Sequence, residues 1–223
     1  MKKNSLLLGT LLLVPKLLLA QTANYIKTST YLDASGISRA ISTDYCNGTG
    51  KKIASVSSTP EGNYVHAHAV YDNEGRLYEK WQPVGVSTDG YQSTSTVSAS
   101  AKSFYSDPSP YTRYEYDALG RVIEQTGPGD TWYKMGKKIK KSYISNSANS
   151  VICYEAPTEN NSLVENGCYK AASLFCEETT DEDGHTLQVF TDFQGEKVLE
   201  RKDGNNDTYY VYNDYGELRF VLP

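Results

Sequence analysis

Val70-Tyr71-Asp72-Asn73-Glu74-Gly75-Arg76-Leu77 decides how this chain is read, because the pattern returns at Glu115-Tyr116-Asp117-Ala118-Leu119-Gly120-Arg121-Val122 and at Val211-Tyr212-Asn213-Asp214-Tyr215-Gly216-Glu217-Leu218. Looser copies run Thr180-Asp181-Glu182-Asp183-Gly184-His185-Thr186-Leu187 and Thr191-Asp192-Phe193-Gln194-Gly195-Glu196-Lys197-Val198. Tyr45 to Lys52 reads as a variant one residue longer. The shared form is Tyr-Asp-x-x-Gly-Arg-apolar, and self-similarity of this kind marks a repeat architecture.

The motif has the chemistry of a β-hairpin. The Asp or Asn side chain can accept a backbone N–H two residues on. Two permissive residues follow in a type I turn, and the Gly takes φ > 0 where a bulge returns the chain to the second strand. The turn positions singled out are therefore Asp72 and Gly75, Asp117 and Gly120, Asp181 and Gly184, Asp192 and Gly195, and Asn213 and Gly216. The incoming Tyr and the outgoing Leu or Val are expected to meet across the ladder. Tyr114 and Tyr116 fall on one strand face, as do Leu218, Phe220 and Leu222. One hairpin cannot bury enough surface to stand alone, so the copies are expected to share a sheet.

Composition agrees. The 223 residues include 19 Tyr and 17 Gly, which favours strands and tight turns. No window shows a convincing 3.6-residue apolar stripe. Met1 to Ala20 has two lysines, an apolar run and a small residue before Gln21, the layout of a secretory signal. Cleavage there is expected, with an uncleaved membrane tether as the alternative. Removing residues 1–20, with three lysines and no acid, takes the formal charge from −5 to −8. An acidic body of that kind disfavours nucleic-acid binding. The only basic run, Lys134 to Lys141, reads as a solvated loop or strand edge.

Tyr-Asp-x-x-Gly-Arg resembles the YD repeat of the Rhs proteins, which also occurs in insecticidal toxin-complex subunits and teneurins. Three N-terminal stretches resemble the N-terminal region of secreted bacterial Rhs proteins: Thr30 to Gly36, Tyr45 to Lys52, and His68 through Trp81-Gln82-Pro83. Arg121 through Trp132 does so too, and Thr208 to Pro223 resembles the repeats that follow. There are departures: Cys46 stands at an aromatic position, Lys51 and Lys52 replace Arg and Pro, and Glu196 and Glu217 replace the Arg of two repeats. The resemblance implies an antiparallel repeat sheet forming part of a larger β-shell. Family members usually continue into a core segment and a variable C-terminal module, often a toxin. The chain is expected to lack both, so no toxin activity is carried over.

Few residues suggest chemistry. His66 and His68 share a strand face and could contribute to a metal site, but no third ligand is near in sequence; the alternative is two residues at a surface or sheet edge. His185 reads as an outgoing-strand residue. Asp181 to Gly184 and Asp203 to Asp207 lack the remaining ligands of a calcium loop and read as turns. Gln92 to Ser103 has no nucleophile elbow and reads as a loop. Among the cysteines, pairing of Ser150–Ala156 with Leu174–Thr180 would set Cys153 opposite Cys176 within disulfide reach. Buried free thiols are the alternative.

These readings predict an all-β, antiparallel, non-catalytic scaffold without cofactor or metal, exported to the periplasm, cell surface or beyond. The expected organisation is a signal at 1–20, a linker at 21–29, an Rhs-associated β domain at 30–145 and YD repeats at 146–223. The expected partners are a downstream Rhs core or C-terminal module, or further copies of the chain. A glycan-binding surface module and a gene remnant without independent role are the alternatives.

Overall fold

The computed structural model describes residues 24–223 except 34, 36, 60, 160 and 161. The expected signal at 1–20 lies outside the described residues, as do linker residues 21–23. The N-terminal half contains β1 (Asn24–Tyr31), β2 (Arg39–Cys46), β3 (Lys52–Ser58), β4 (Tyr64–Tyr71), β5 (Leu77–Trp81), β6 (Val84–Val86) and helix α1 (Thr94–Tyr105). Next come β7 (Tyr111–Tyr116), β8 (Val122–Thr126), helix α2 (Asp130–Lys134), β9 (Ile139–Ser145), β10 (Ile152–Glu155) and β11 (Val164–Cys168). The last strands are β12 (Phe175–Thr180), β13 (Thr186–Thr191), β14 (Lys197–Lys202), β15 (Asn206–Tyr212) and β16 (Leu218–Leu222).

Fourteen strands form one antiparallel sheet in the order β1-β2-β3-β4-β5-β7-β8-β9-β12-β13-β14-β15-β16, with β6 added beside β4. The fold is all-β, as the turn pattern predicts. The sheet passes residue 145 without a break, since β9 pairs with β8 on one side and β12 on the other. Strand direction alternates, so the turns after β2, β4, β7, β13 and β15 lie along one end of the strands. The Asp181–Gly184 turn, after β12, lies along the opposite end. The copies that look alike in sequence therefore form two groups in space.

Two insertions cover one face of this sheet. The first contains α1. Residues 92–103, read as a loop, are largely helix: Ser93 caps it by accepting the N–H of Thr96, and Val97 and Ala101 are buried beneath it. Val97 and Ala101, four apart, pack against Trp81 and Val84. Packing of this short stripe sustains a helix that its Ser and Thr content would not support alone. The second insertion, between β9 and β12, holds the β10–β11 hairpin. It folds Val151 and Leu174 onto Cys176, Phe190 and Leu199 of the sheet.

This second insertion overturns the expected cysteine pairing. β12 is paired on both edges, and Cys176 lies opposite Ile144 of β9 and Phe190 of β13. β10 pairs instead with β11 in a separate two-stranded sheet. Cys153 and Cys176 are both free thiols. With both edges of β12 already occupied by sheet hydrogen bonds, no ladder position remains for β10.

Candidate structural site: the turn ladder

The hairpin turns share one hydrogen-bond scheme. In the Asp117 turn, Gly120 N–H donates to the Asp117 carbonyl and Asp117 N–H to the Arg121 carbonyl. Asp117 Oδ1 accepts the N–H groups of Leu119 and Arg121, each at 2.9 Å. The same two-donor clasp recurs at Asp181, Asp192 and Asn213. Asp72 Oδ1 accepts from Arg76 N–H at 2.7 Å. Gly75, Gly120, Gly184, Gly195 and Gly216 all have φ between 76° and 94°. The Tyr45 variant is no longer than the others: Asn47 is its clasping residue, with Thr49 and Lys51 donating to its Oδ1, and Gly50 has φ 80°. Cys46, not Tyr45, therefore occupies the Tyr position.

Sequence reading missed what joins one turn to the next. Where a hairpin carries the motif Tyr, that residue does pair across its own ladder, with Tyr71 opposite Leu77, Tyr116 opposite Val122 and Tyr212 opposite Leu218. Its hydroxyl, however, serves the preceding hairpin along the sheet. Tyr71 Oη donates to the Lys52 carbonyl at 2.8 Å, and Tyr116 Oη to that of Leu77 at 2.7 Å. Tyr143 Oη reaches the Val122 carbonyl at 3.1 Å, and Tyr212 Oη that of Lys197 at 3.3 Å. Every acceptor is the second residue after a turn Gly.

The Arg of the motif supplies the other half of the join. Arg76 Nε holds Asp72 Oδ2 at 2.8 Å while its guanidinium lies 4.8 Å from the Tyr116 ring centroid and reaches the Asp117 carbonyl at 3.4 Å. Arg121 repeats this with Asp117 and the Tyr143 ring, at 4.1 Å. Lys51 takes the role in the first turn, over the Tyr71 ring at 5.6 Å and bonded to the Gly75 carbonyl. Where Glu196 replaces Arg, the cation comes from Lys197, 3.9 Å from the Tyr210 ring. Tyr, Asp, Gly and Arg are thus four parts of one joint: two build the turn and two fasten it to its neighbours. The signal available in sequence was that Tyr and Arg recur together with the turn residues, although neither is needed to make the turn.

Two consequences are measurable. Tyr116→Phe removes one inter-hairpin bond while keeping the ring, so urea denaturation should show a loss of about 1 kcal/mol. A stability equal to wild type would show that the join contributes nothing. The second consequence concerns acid. The Arg121 N–H, outweighing partial desolvation, and the Arg121 guanidinium hold the Asp117 carboxyl below the usual carboxylate range, and the His185 N–H does the same at Asp181. A carboxylate whose folded pKa is depressed stabilises the fold above its unfolded value of about 3.9 and loses that contribution as pH falls toward the folded value. Asp117→Asn should therefore flatten the fall in stability below about pH 4, as followed by thermal melts across pH.

Elsewhere, His66 and His68 are buried at 0% and 4% exposure, not at a surface or edge. Pairing of Val56 with His66 and Ala54 with His68 puts both imidazoles on the face beneath α1. No group of three or more His, Cys, Asp or Glu among the described residues is placed to hold a metal ion. His185 follows its turn Gly, with Nδ1 3.3 Å from Asp203 Oδ2. The opposite face of the sheet carries an open groove of about 620 Å³ beside Ser55, Ala67, Ala69, Tyr71, Lys80 and Tyr114.

Residues 20–145 match the family described as Domain of unknown function (DUF6443). The chain belongs to the DUF6443 family. No curated protein matches this DUF6443 chain. Solved structures do. The crystal structure of TcdB2-TccC3 without its hypervariable C-terminal region aligns with 89% of the chain at 13% identity and a TM-score of 0.50. That of TcdB2-TccC3-Cdc42 aligns with 82% at 12% identity and a TM-score of 0.48. In both cases the chain spans 9% of the other protein's length. The DUF6443 chain thus shares its fold with part of the TcdB2-TccC3 structure.

Proposed function

We propose that this DUF6443 protein is a non-catalytic wall segment of an exported Rhs/YD-repeat shell. The observation that carries the reading is the turn ladder. Its Tyr and Arg side chains are spent on joining one hairpin to the next, which extends a sheet and leaves those groups engaged. The fold shared with the TcdB2-TccC3 structure supports the same role. The partner is either a following repeat or module, or another copy of the chain. Among the described residues β16 is hydrogen-bonded on one side only, with Leu218 and Val221 exposed. An unpaired strand of that kind is a template for a further strand.

The test is light scattering of the chain at micromolar concentration, with hydrogen exchange over residues 205–223. Concentration-dependent association that protects Leu218–Leu222 is the expected outcome. A monomer already strongly protected through Val221 would favour an independent domain. The tyrosine-bearing groove around Tyr71 and Tyr114 favours a second reading, glycan binding, because tyrosine rings can stack on sugar faces. A glycan array without saturable binding removes it.

A further inference from the structure

The imidazole of His66 is fully buried, and neither of its ring nitrogens has a hydrogen-bond partner. His68 is nearly as buried, with Nδ1 unpartnered and Nε2 3.3 Å from Ser98 Oγ of α1. The two rings lie 6.3 Å apart, and His68 stacks on Trp81 at 5.0 Å and an interplanar angle of 21°. A buried polar group without partners costs stability that an aliphatic side chain of similar size would not. The turn ladder does not use either histidine, so the arrangement needs a separate account.

The surroundings allow only neutral rings. The ionisable groups around the two rings on this face are Tyr25 and Lys27 from β1, Tyr45 from β2, Tyr64 from β4, Glu79 from β5, Tyr111 and Arg113 from β7, Lys102 from α1, and Asp89 from the connection before the helix, which pairs with Lys27 at 3.2 Å. Glu79 is engaged by Trp81 Nε1 at 3.0 Å and by Arg113 at 2.8 Å. Lys102, 5.7 Å from the Trp81 ring centroid, adds positive charge on the helix side. β3 and β6 contribute Ala54, Val56 and Val84, which are apolar. No carboxylate bonds either imidazole, so an imidazolium here would be buried, unpaired and next to a second one.

We propose that His66 and His68 form an acid-sensitive latch, in which protonation releases α1 from the sheet and exposes the Trp81–Val84 face. Burial pushes the pKa of both rings down, with His66 adding to the effect at His68, which is pushed down to about 4. The sign follows from linkage. The released form exposes imidazoles of ordinary pKa, about 6.5, and so binds more protons than the closed form below that pH. Falling pH therefore drives release, and the closed form is restored above about 6.5. Helix α1 is suited to moving because only Val97 and Ala101 of its residues are buried.

The experiment is hydrogen exchange of the chain between pH 7.5 and 4.5, corrected for intrinsic rates, with Trp81 fluorescence followed in a Trp132→Phe background. Protection of residues 94–105 should fall by up to about tenfold per pH unit per histidine below about pH 6.5, while β12–β14 keep theirs. The double variant His66→Leu, His68→Phe should hold α1 closed over the same range. The proposal is overturned if α1 protection is constant, if it is lost in step with β12–β14, or if the double variant opens as wild type does. Should that variant fail to fold, proton NMR of the wild-type imidazoles decides. Rings titrating near 6.5 with α1 still protected would overturn the latch, and rings titrating only as α1 opens would support it.

Discussion

Asn146→Ala is expected to lower stability by about 3 kcal/mol, more than any change at an exposed turn. Asn146 is 3% exposed and sits where the β9–β12 connection leaves the sheet. Its Oδ1 accepts the N–H groups of Ser173 and Leu174 at 3.0 and 2.8 Å, and its Nδ2 donates to the Lys170 carbonyl at 2.7 Å. Its backbone N–H donates to the Leu174 carbonyl, and its own carbonyl accepts from Ala172. Asn146 thus closes the 29-residue insertion 146–174 as Asp117 closes a tight turn, by collecting backbone N–H groups on a side-chain oxygen. The alanine variant leaves the buried Leu174 N–H without its acceptor, and loosens the loop that carries Val151 and Leu174 onto Cys176 and Leu199. Urea unfolding monitored by circular dichroism measures the loss. A change under about 1 kcal/mol, the size of an ordinary substitution, would mean that the hairpin docks without this clasp.

Gly75→Val and Gly216→Val should each cost about 2 kcal/mol. Both glycines have φ of 76°, where a β-branched side chain is strained whatever space surrounds it. A Cβ at Gly75 would also lie 2.7 Å from Lys51 Nζ, and one at Gly216 2.8 Å from Glu196 Oε1. Those long side chains can move aside, so the steric part is small, but moving Lys51 pulls it from the Gly75 carbonyl and the Tyr71 ring. The loss should therefore exceed that of Gly184→Val, where φ is 94° but nothing lies within 4 Å. Asn73→Ala, at an exposed permissive position, should change little. Equal tolerance at Gly75 and Asn73 in thermal melts would contradict the turn geometry.

The chemistry of the turns acts over four or five residues and was legible in the chain, although the turn at Asn47 reads one residue too long until its clasp is seen. Asp or Asn followed three positions later by Gly specifies the clasp, the positive φ and the bulge through contacts within the turn. The all-β class and the hairpin spacing were legible for that reason. Features that depend on neighbours distant in sequence emerge only once the sheet is assembled. Residues 92–103 carry too short an apolar stripe to announce a helix, and α1 forms because Val97 and Ala101 meet Trp81 and Val84. The depth of His66 and His68 depends on that same helix, so a strand pattern alone left them at a surface. Cys153 and Cys176 fell apart because β9 and β13 already occupy both edges of β12. Tyr71, Tyr116, Tyr212, Arg76 and Arg121, which accompany their turns, are used by the neighbouring hairpin, 15 to 41 residues away along the chain. Turn chemistry is local and survives in a motif, whereas covering, burial and joining are made by the sheet as a whole.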